Sequence, residues 1–99
     1  MSNRIEEAFA GGKAFIPFLT CGDPDGALTQ ELVLSMAEAG ADIIELGLPF
    51  SDPIAEGPVI QQADERALHN GFKINHFFRL VEGIRYYSNI PLVCMTYLN

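Results

Sequence analysis

Two carboxyl side chains in one stretch of this chain have the spacing and the surroundings for acid–base chemistry. Glu45 follows the apolar pair Ile43 and Ile44, so it stands on a segment that a core would bury. Glu56 comes eleven residues later, after a loop rich in glycine and proline. Proline restricts the backbone and glycine permits tight turns, so this loop is able to hold both carboxyls at one site. Carboxyl groups placed in this way serve as general acids and bases.

Strands and helices are predicted to alternate around these two residues. Continuous apolar runs predict buried strands, and apolar residues at helical spacing predict helices. A local break is expected at Pro17, because proline donates no hydrogen bond to a strand ladder. The alternation indicates right-handed βαβ units and a parallel sheet in a single domain, residues 1–99. The predicted strands cover 14–20, 43–47 and 90–97, and the predicted helices cover 5–10, 28–37, 58–69 and 77–84.

Charge and hydropathy exclude several classes of partner. The chain has 99 residues, 48% of them hydrophobic, with 13 acids against 6 bases and a net charge of -7. This excess of negative charge disfavours binding to nucleic acid or to an anionic membrane surface. No apolar run reaches the roughly 18 residues of a membrane span, and the N-terminus lacks a secretory signal pattern, so we expect a cytoplasmic protein.

Cysteine and histidine residues give no metal-binding pattern. Cys21 and Cys94 stand 73 positions apart and are expected to be free thiols in a reducing compartment. His69 and His76 fall in predicted helical segments, where surface or capping roles are expected and no metal site is predicted.

Three stretches of the chain resemble the tryptophan synthase alpha chain family in residues, order and spacing. The likeness continues through Ile60-Gln61, Arg66-Ala67, Gly71 and Tyr97-Leu98-Asn99, so it covers nearly the whole chain from about residue 5. The three stretches are Phe-Ile-Pro-Phe-Leu-Thr-Cys-Gly-Asp-Pro at 15–24, Ala-Gly-Ala-Asp at 39–42, and the run at 45–58.

The resemblance implies an α/β fold that is the N-terminal fragment of a (β/α)₈ TIM barrel. A short N-terminal helix and the first three parallel strands would be present. Such barrels run to about 250 residues, so the chain would hold roughly 40% of one. The loops after strands 7 and 8, where these barrels usually bind phosphate, would be missing. We therefore expect the 99 residues alone to be inactive.

The resemblance also implies an activity and its residues. The family cleaves indole-3-glycerol phosphate to indole and glyceraldehyde 3-phosphate in tryptophan biosynthesis, without a cofactor in the alpha chain. Glu45 matches its general acid/base, and Glu56 matches an aspartate that accepts the indole N–H. Asp52 and Pro53 match a loop that contacts the beta chain in an α₂β₂ tetramer. Three further residues match the indole pocket: Phe18, Met95 and Tyr97.

Two of these positions depart from the family pattern. Met95 replaces a usual leucine, and Glu56 is one methylene longer than the usual aspartate. A shift of about 1 Å in a catalytic group can cost about a hundredfold in rate. Our hypothesis is that the loop from Asp52 to Gly57 moves to keep the Glu56 carboxyl in place.

Plainer roles remain open for several of these residues. Glu45 is also compatible with a structural carboxyl, Glu56 with a solvated loop residue, and Tyr97 with a core aromatic. Asp23 and Asp52 precede prolines and are typical of turn formers. For the chain as a whole, the alternatives are a non-catalytic βα fragment that self-associates or binds a partner, and another phosphate-binding barrel enzyme.

Overall fold

The structure, a computed structural model that describes residues 3–49 and 57–96, alternates helices and strands. A short helix opens the described part, and its first turn is capped by Asn3, whose side chain accepts a hydrogen bond from the Glu6 N–H. The elements in chain order are α1 (Arg4–Ala8), β1 (Phe18–Thr20), α2 (Gly26–Glu38), β2 (Ile44–Gly47), α3 (Gly57–His69), α4 (Ile74–Tyr87) and β3 (Leu92–Met95).

The described strands form one parallel sheet in the order β1-β2-β3. Helix α2 connects β1 to β2, and helices α3 and α4 lie between β2 and β3 in the chain. The predicted parallel sheet and its βαβ connections are therefore confirmed. Because the strands run in the same direction, their carboxyl ends meet at one edge of the sheet.

The outer strands are shorter and more exposed than the sequence predicts. Strand β1 begins only after Pro17, as the predicted break requires, and Phe15 before it is 62% exposed. Strand β3 ends at Met95, and Cys94 and Met95 are exposed. The expectation of a strand buried on both faces is thus wrong for β1. The central strand β2 is the most buried of the three, with Ile44, Leu46 and Gly47 buried and Glu45 half-buried.

The apolar face predicted for α2, Leu28, Leu32, Val33, Met36 and Ala37, is confirmed in part. Val33 is buried and Met36 and Ala37 pack against the core. Leu28 and Leu32 are more than a third exposed, and Thr29 is buried in their place. The Thr29 hydroxyl donates to the Asp25 carbonyl at 2.7 Å and accepts the Gly22 N–H at 3.0 Å. These bonds satisfy buried polar groups, which allows a threonine to take a core position.

The core lies between one face of the sheet and helices α2 and α4. Ile44 and Leu46 of β2 are fully buried there. The spacing of Phe77, Leu80, Val81 and Ile84 predicts one apolar face for α4. It is confirmed, since three of them are buried and Val81 packs against the core. The core cluster comprises Cys21, Val33, Ala41, Ile44, Leu46, Phe77, Leu80, Ile84 and Ile90. No helix within residues 3–49 and 57–96 is long and apolar enough to cross a membrane.

Both cysteines are free thiols, as predicted, but their surroundings differ. Cys21 lies in the core cluster, and Cys94 is exposed on β3. Burial raises the pKa of the Cys21 thiol to about 12, with a smaller contribution from Cys94. The folded protein therefore keeps Cys21 as a neutral thiol at pH values where an unfolded cysteine ionises.

This difference predicts how stability changes at alkaline pH. Since folding raises the pKa of Cys21 from 9.0 to about 12, the contribution of the neutral thiol is complete below pH 9 and is lost as pH rises toward 12. Denaturant unfolding of the parent protein and of Cys21→Ala at several pH values measures it. We expect the difference between the two free energies of unfolding to be constant up to about pH 8. Above pH 9 the free energy of unfolding of the parent should fall relative to that of Cys21→Ala. A difference that stays constant to pH 11 would contradict the assignment.

Candidate active site

Glu45 lies in the middle of the central strand, on the face opposite the helices. Side chains alternate along a strand, and the neighbours Ile44 and Leu46 both point into the helix-covered core. The Glu45 side chain is half-buried, with Phe18 of β1 and Val93 of β3 as its register partners. The carboxyl is therefore placed by the sheet itself, on a residue paired in register with an aromatic residue.

Phe18 covers the carboxyl end of β2 because Gly47 has no side chain. A Cβ atom on Gly47 would lie 2.5 Å from Phe18 Cζ, which is too short for a non-bonded contact between carbon atoms. Gly47 pairs in register with Thr20 on one side and Met95 on the other. The glycine thus leaves room for a ring at the position where the three strands end.

A pocket of about 150 Å³ opens at the carboxyl ends of the strands, and we call it the strand-end pocket. It brings together Phe18 and Met95, two of the residues predicted to line an aromatic pocket. Glu45 is not among its lining residues. It is paired in register with Phe18 and lies two residues before Gly47. The pocket is lined by Phe18, Gly47, Leu48, Ile60, Asp64, Met95 and Thr96.

Asp64 is the lining residue that the sequence analysis missed. It is 3% exposed and lies on α3, one helical turn after Ile60. Its position was visible in the sequence, since Ile60, Asp64 and Ala67 follow the i, i+4, i+7 spacing of one helix face. An acid in an otherwise apolar stripe was the available signal.

The remaining predicted site residues lie outside the described part of the chain. They are Asp52, Pro53 and Glu56 in the loop before α3, and Tyr97 after β3. Glu56 directly precedes Gly57, the first residue of α3, in the sequence.

A pair of contacts fastens α3 to the loop that follows β1. The Asp23 carboxylate accepts two hydrogen bonds from the Arg66 guanidinium, at 2.9 and 3.0 Å. This hydrogen bonding and the negative charge raise the pKa of Arg66. The Asn70 side-chain amide also donates to the Pro24 carbonyl. Together these contacts hold α3 against the end of β1, which places Ile60 and Asp64 at the pocket.

A larger cavity, of about 370 Å³, lies between the start of α2 and the start of α4. Its lining includes Asp25, Gln30, His76 and Arg79, but none of the predicted site residues. His76 Nδ1 accepts the Lys73 N–H at 3.0 Å, which is a helix-capping role. The smaller pocket is the better candidate site because an aromatic wall and a buried acid meet at the carboxyl ends of the strands, and because Phe18 of that wall is paired in register with Glu45.

Comparison with known proteins gives one family. The model of the tryptophan synthase alpha chain family matches residues 6–99. The chain is 52% identical to the tryptophan synthase alpha chain of Thermoanaerobacter pseudethanolicus over 102 residues, covering 98% of this chain and 39% of that protein. It is also 52% identical over 95 residues to the alpha chain of Haloferax volcanii, covering 96% and 34%.

Solved structures agree in fold with these sequence matches. The alpha subunit of Legionella pneumophila superposes with a TM-score of 0.90 at 40% identity, covering all of this chain and 40% of that one. The tryptophan synthase complex of Pyrococcus furiosus gives a TM-score of 0.81 at 49% identity, covering 87% and 35%. The chain thus spans about two-fifths of the length of these relatives, and the predicted first part of a TIM barrel is confirmed.

The Phe18–Gly47 contact leads to a prediction about the pocket. Gly47→Ala would force the Phe18 ring to rotate into or out of the pocket, and overpacking of this kind costs about 1–3 kcal/mol. We expect a lower free energy of unfolding and a weaker affinity for an aromatic probe such as indole, measured by denaturant titration and calorimetry. Gly26→Ala is the matched control, because nothing lies within 4 Å of its added Cβ. Equal stability and affinity in the two variants would show that Phe18 does not depend on Gly47.

Proposed function

Because the chain belongs to the tryptophan synthase alpha chain family, we propose that it carries the acid–base part of a site that cleaves indole-3-glycerol phosphate to indole and glyceraldehyde 3-phosphate. The observation that supports this most directly is the position of Glu45. It lies on the central parallel strand, in register with Phe18 and beside the strand-end pocket. Barrel enzymes place their catalytic groups at this edge of the sheet.

The reaction requires a proton to arrive at one atom and another to leave. A general acid protonates C3 of the indole ring, which leaves a positive charge shared with the ring nitrogen. A base then removes the proton from the side-chain hydroxyl. The bond between C3 and the side chain breaks, its electron pair returns to the ring, and neutral indole and an aldehyde are released. Positioned carboxyl groups typically contribute a hundredfold to ten-thousandfold to such proton transfers.

In this proposal Glu45 is the general acid/base. Phe18 and Met95 supply the described walls of the indole pocket. Glu56 accepts the indole N–H, and Tyr97 completes the pocket, as the family resemblance implies for these two positions. The half-buried state of Glu45 suits its role, since a proton donor must regain its proton after each turnover.

The complete site needs more of a barrel than these 99 residues contain. Barrels of this kind usually bind phosphate with loops after strands 7 and 8, and the chain corresponds to 39% of the Thermoanaerobacter relative. We therefore propose that turnover belongs to the full-length gene product and that residues 1–99 alone are inactive. An assay for indole with the isolated 99-residue chain tests this, and indole formation would overturn it.

The proposed partner is a tryptophan synthase beta chain in an α₂β₂ complex, contacted through the loop with Asp52 and Pro53. Support comes from a solved structure of the tryptophan synthase a2b2 complex of Pyrococcus furiosus, which matches this chain at 49% identity. We further propose a cytoplasmic location, which suits a biosynthetic enzyme and the two free thiols.

Replacement of the Glu45 carboxyl tests the proposed chemistry. In the full-length gene product, Glu45→Gln removes the transferable proton while keeping the side-chain size. We expect kcat for indole-3-glycerol phosphate to fall by about a hundredfold to ten-thousandfold, with KM changed little. Glu31→Gln on the exposed face of α2 is the control and should keep the parent rate. A Glu45→Gln variant as active as this control would rule out Glu45 as the acid/base.

The longer carboxyl at position 56 gives a second test. If the loop from Asp52 to Gly57 accommodates Glu56, shortening the side chain brings no benefit. We therefore expect Glu56→Asp to have an unchanged or lower kcat, measured beside the parent in the same full-length protein. A rise of a hundredfold or more would mean that Glu56 is misplaced in the parent enzyme.

A further inference from the structure

The larger cavity, between the start of α2 and the start of α4, has polar groups that the proposed reaction does not use. Its volume of about 370 Å³ lies within the range of small-molecule sites, roughly 300–1,000 Å³. Phe72 and Leu80 give it apolar lining, while Asp25 and Arg79 give it opposite charges. Among the described residues it shares no lining with the strand-end pocket, so it is a separate place for a ligand.

The polar side chains that α4 contributes to this cavity are hydrogen-bond donors. His76 and Arg79 are three residues apart and so lie on one face of the helix. His76 Nδ1 accepts the Lys73 N–H, which leaves Nε2 to carry the ring proton as a donor. Arg79 has only donors, and within the described ranges its guanidinium makes no hydrogen bond or ion pair.

The residue before α2 and the residue after α3 contribute hydrogen-bond acceptors. Asp25 Oδ1 caps α2 by accepting the Leu28 N–H at 2.9 Å, which leaves Oδ2 as an acceptor. The Asn70 side-chain amide donates to the Pro24 carbonyl, which leaves its Oδ1 as an acceptor. The cavity therefore has donors on α4 and acceptors at the ends of the two other helices.

The two opposite charges of this cavity do not neutralise each other. Asp25 and Arg79 make no ion pair in the described structure, whereas Asp23 and Arg66 nearby pair at 2.9 Å. Charges in this region thus pair where their positions allow it, and the cavity keeps Asp25 and Arg79 apart. A simple anion would gain from Arg79 but be repelled by Asp25, and a simple cation would meet the reverse.

We propose that the larger cavity binds a free α-amino acid with an apolar side chain. The carboxylate accepts hydrogen bonds from the Arg79 guanidinium, whose planar fork suits two carboxylate oxygens, and from His76 Nε2. The ammonium group donates to Asp25 Oδ2 and Asn70 Oδ1. The side chain packs on the apolar lining. This site is independent of the proposed lyase function, because it uses none of the residues assigned to that reaction.

Hydrogen bonds within the protein hold the lining of the cavity in place. Capping bonds fix Asp25 on α2 and His76 on α4, and Asn70 is fixed by its bond to Pro24. The Phe72 and His76 rings are in contact, with centroids 5.9 Å apart. A ligand that binds to groups fixed in this way loses little affinity to the ordering of side chains.

Titration calorimetry of the full-length gene product with three probes tests this inference. L-phenylalanine carries both charges, 3-phenylpropionate lacks the ammonium group, and 2-phenylethylamine lacks the carboxylate. Because a hydrogen bond between charged groups contributes about a factor of ten or more in affinity, we expect phenylalanine to bind at least about tenfold more tightly than either of the other two.

Two variants remove the charges one at a time. Arg79→Gln should reduce the affinity for phenylalanine to that for 2-phenylethylamine, because the carboxylate loses its partner. Asp25→Asn should reduce it to that for 3-phenylpropionate, and asparagine caps a helix as well as aspartate does. The control Glu82→Gln changes an exposed acid of α4 that does not line the cavity and should bind phenylalanine like the parent.

Three results would overturn the inference. They are no binding of phenylalanine to the parent, equal affinities for the three probes, and an affinity for phenylalanine that neither variant lowers, which would place the ligand elsewhere on the protein. If Asp25→Asn does not fold, Arg79→Gln decides alone, since replacing an exposed side chain without a partner leaves the fold intact. No turnover is measured, so the result stands whether or not the protein makes indole.

Discussion

The parallel pairing of β2 between β1 and β3 is the constraint on which the rest of this structure depends. It gives the central strand two different faces. Ile44 and Leu46 are buried against α2 and α4, which fixes the register, so Glu45 and Gly47 must lie on the other face. A slip of one residue would exchange the two sets and place the Glu45 carboxyl in the core. Helix packing on one side of the sheet therefore determines where the acid stands on the other.

Close approach at the strand ends depends on small residues. Gly47 leaves space for the Phe18 ring, and Gly22, with φ of +85°, lies against Phe72 where a Cβ would be 2.6 Å from the ring. Ala63 and Ala67 do the same for α3 against the sheet. Gly47 borders the strand-end pocket, whereas Gly22 and Phe72 line the larger cavity. Larger side chains at these positions would move the elements apart.

The sequence predicts most of the fold because its periodic patterns reflect burial directly. Helices α2, α3 and α4 and the parallel order follow from such patterns. Of the predicted site residues, Met95 ends β3, whereas Phe18 begins β1 and Glu45 is the second residue of β2, and their catalytic roles stay predictions. The burial of Thr29 in α2 was less predictable than that of Val33, because two local hydrogen bonds satisfy its hydroxyl while Leu28 and Leu32 stay exposed. The ion pair of Asp23 and Arg66 joins residues 43 positions apart, and no local pattern reveals a contact of that range. Asp64 was missed because a charge in a helix is ordinarily assigned to the solvent side.

In the proposed site, charge separates the part that binds the indole ring from the part that binds the phosphate. Indole-3-glycerol phosphate carries its own negative charge on the phosphate, yet the central strand of this chain carries the carboxyl of Glu45, and Glu56 is proposed to join it. Phosphate bound beside these carboxyls would be repelled, whereas the ring, which becomes positive during the reaction, would be attracted. For the proposed reaction, this favours a substrate orientation with the ring toward these first strands and the phosphate toward the opposite part of the barrel. Barrels that bind phosphate after strands 7 and 8 provide that separation, since the sheet closes on itself and keeps the two charges apart across one mouth.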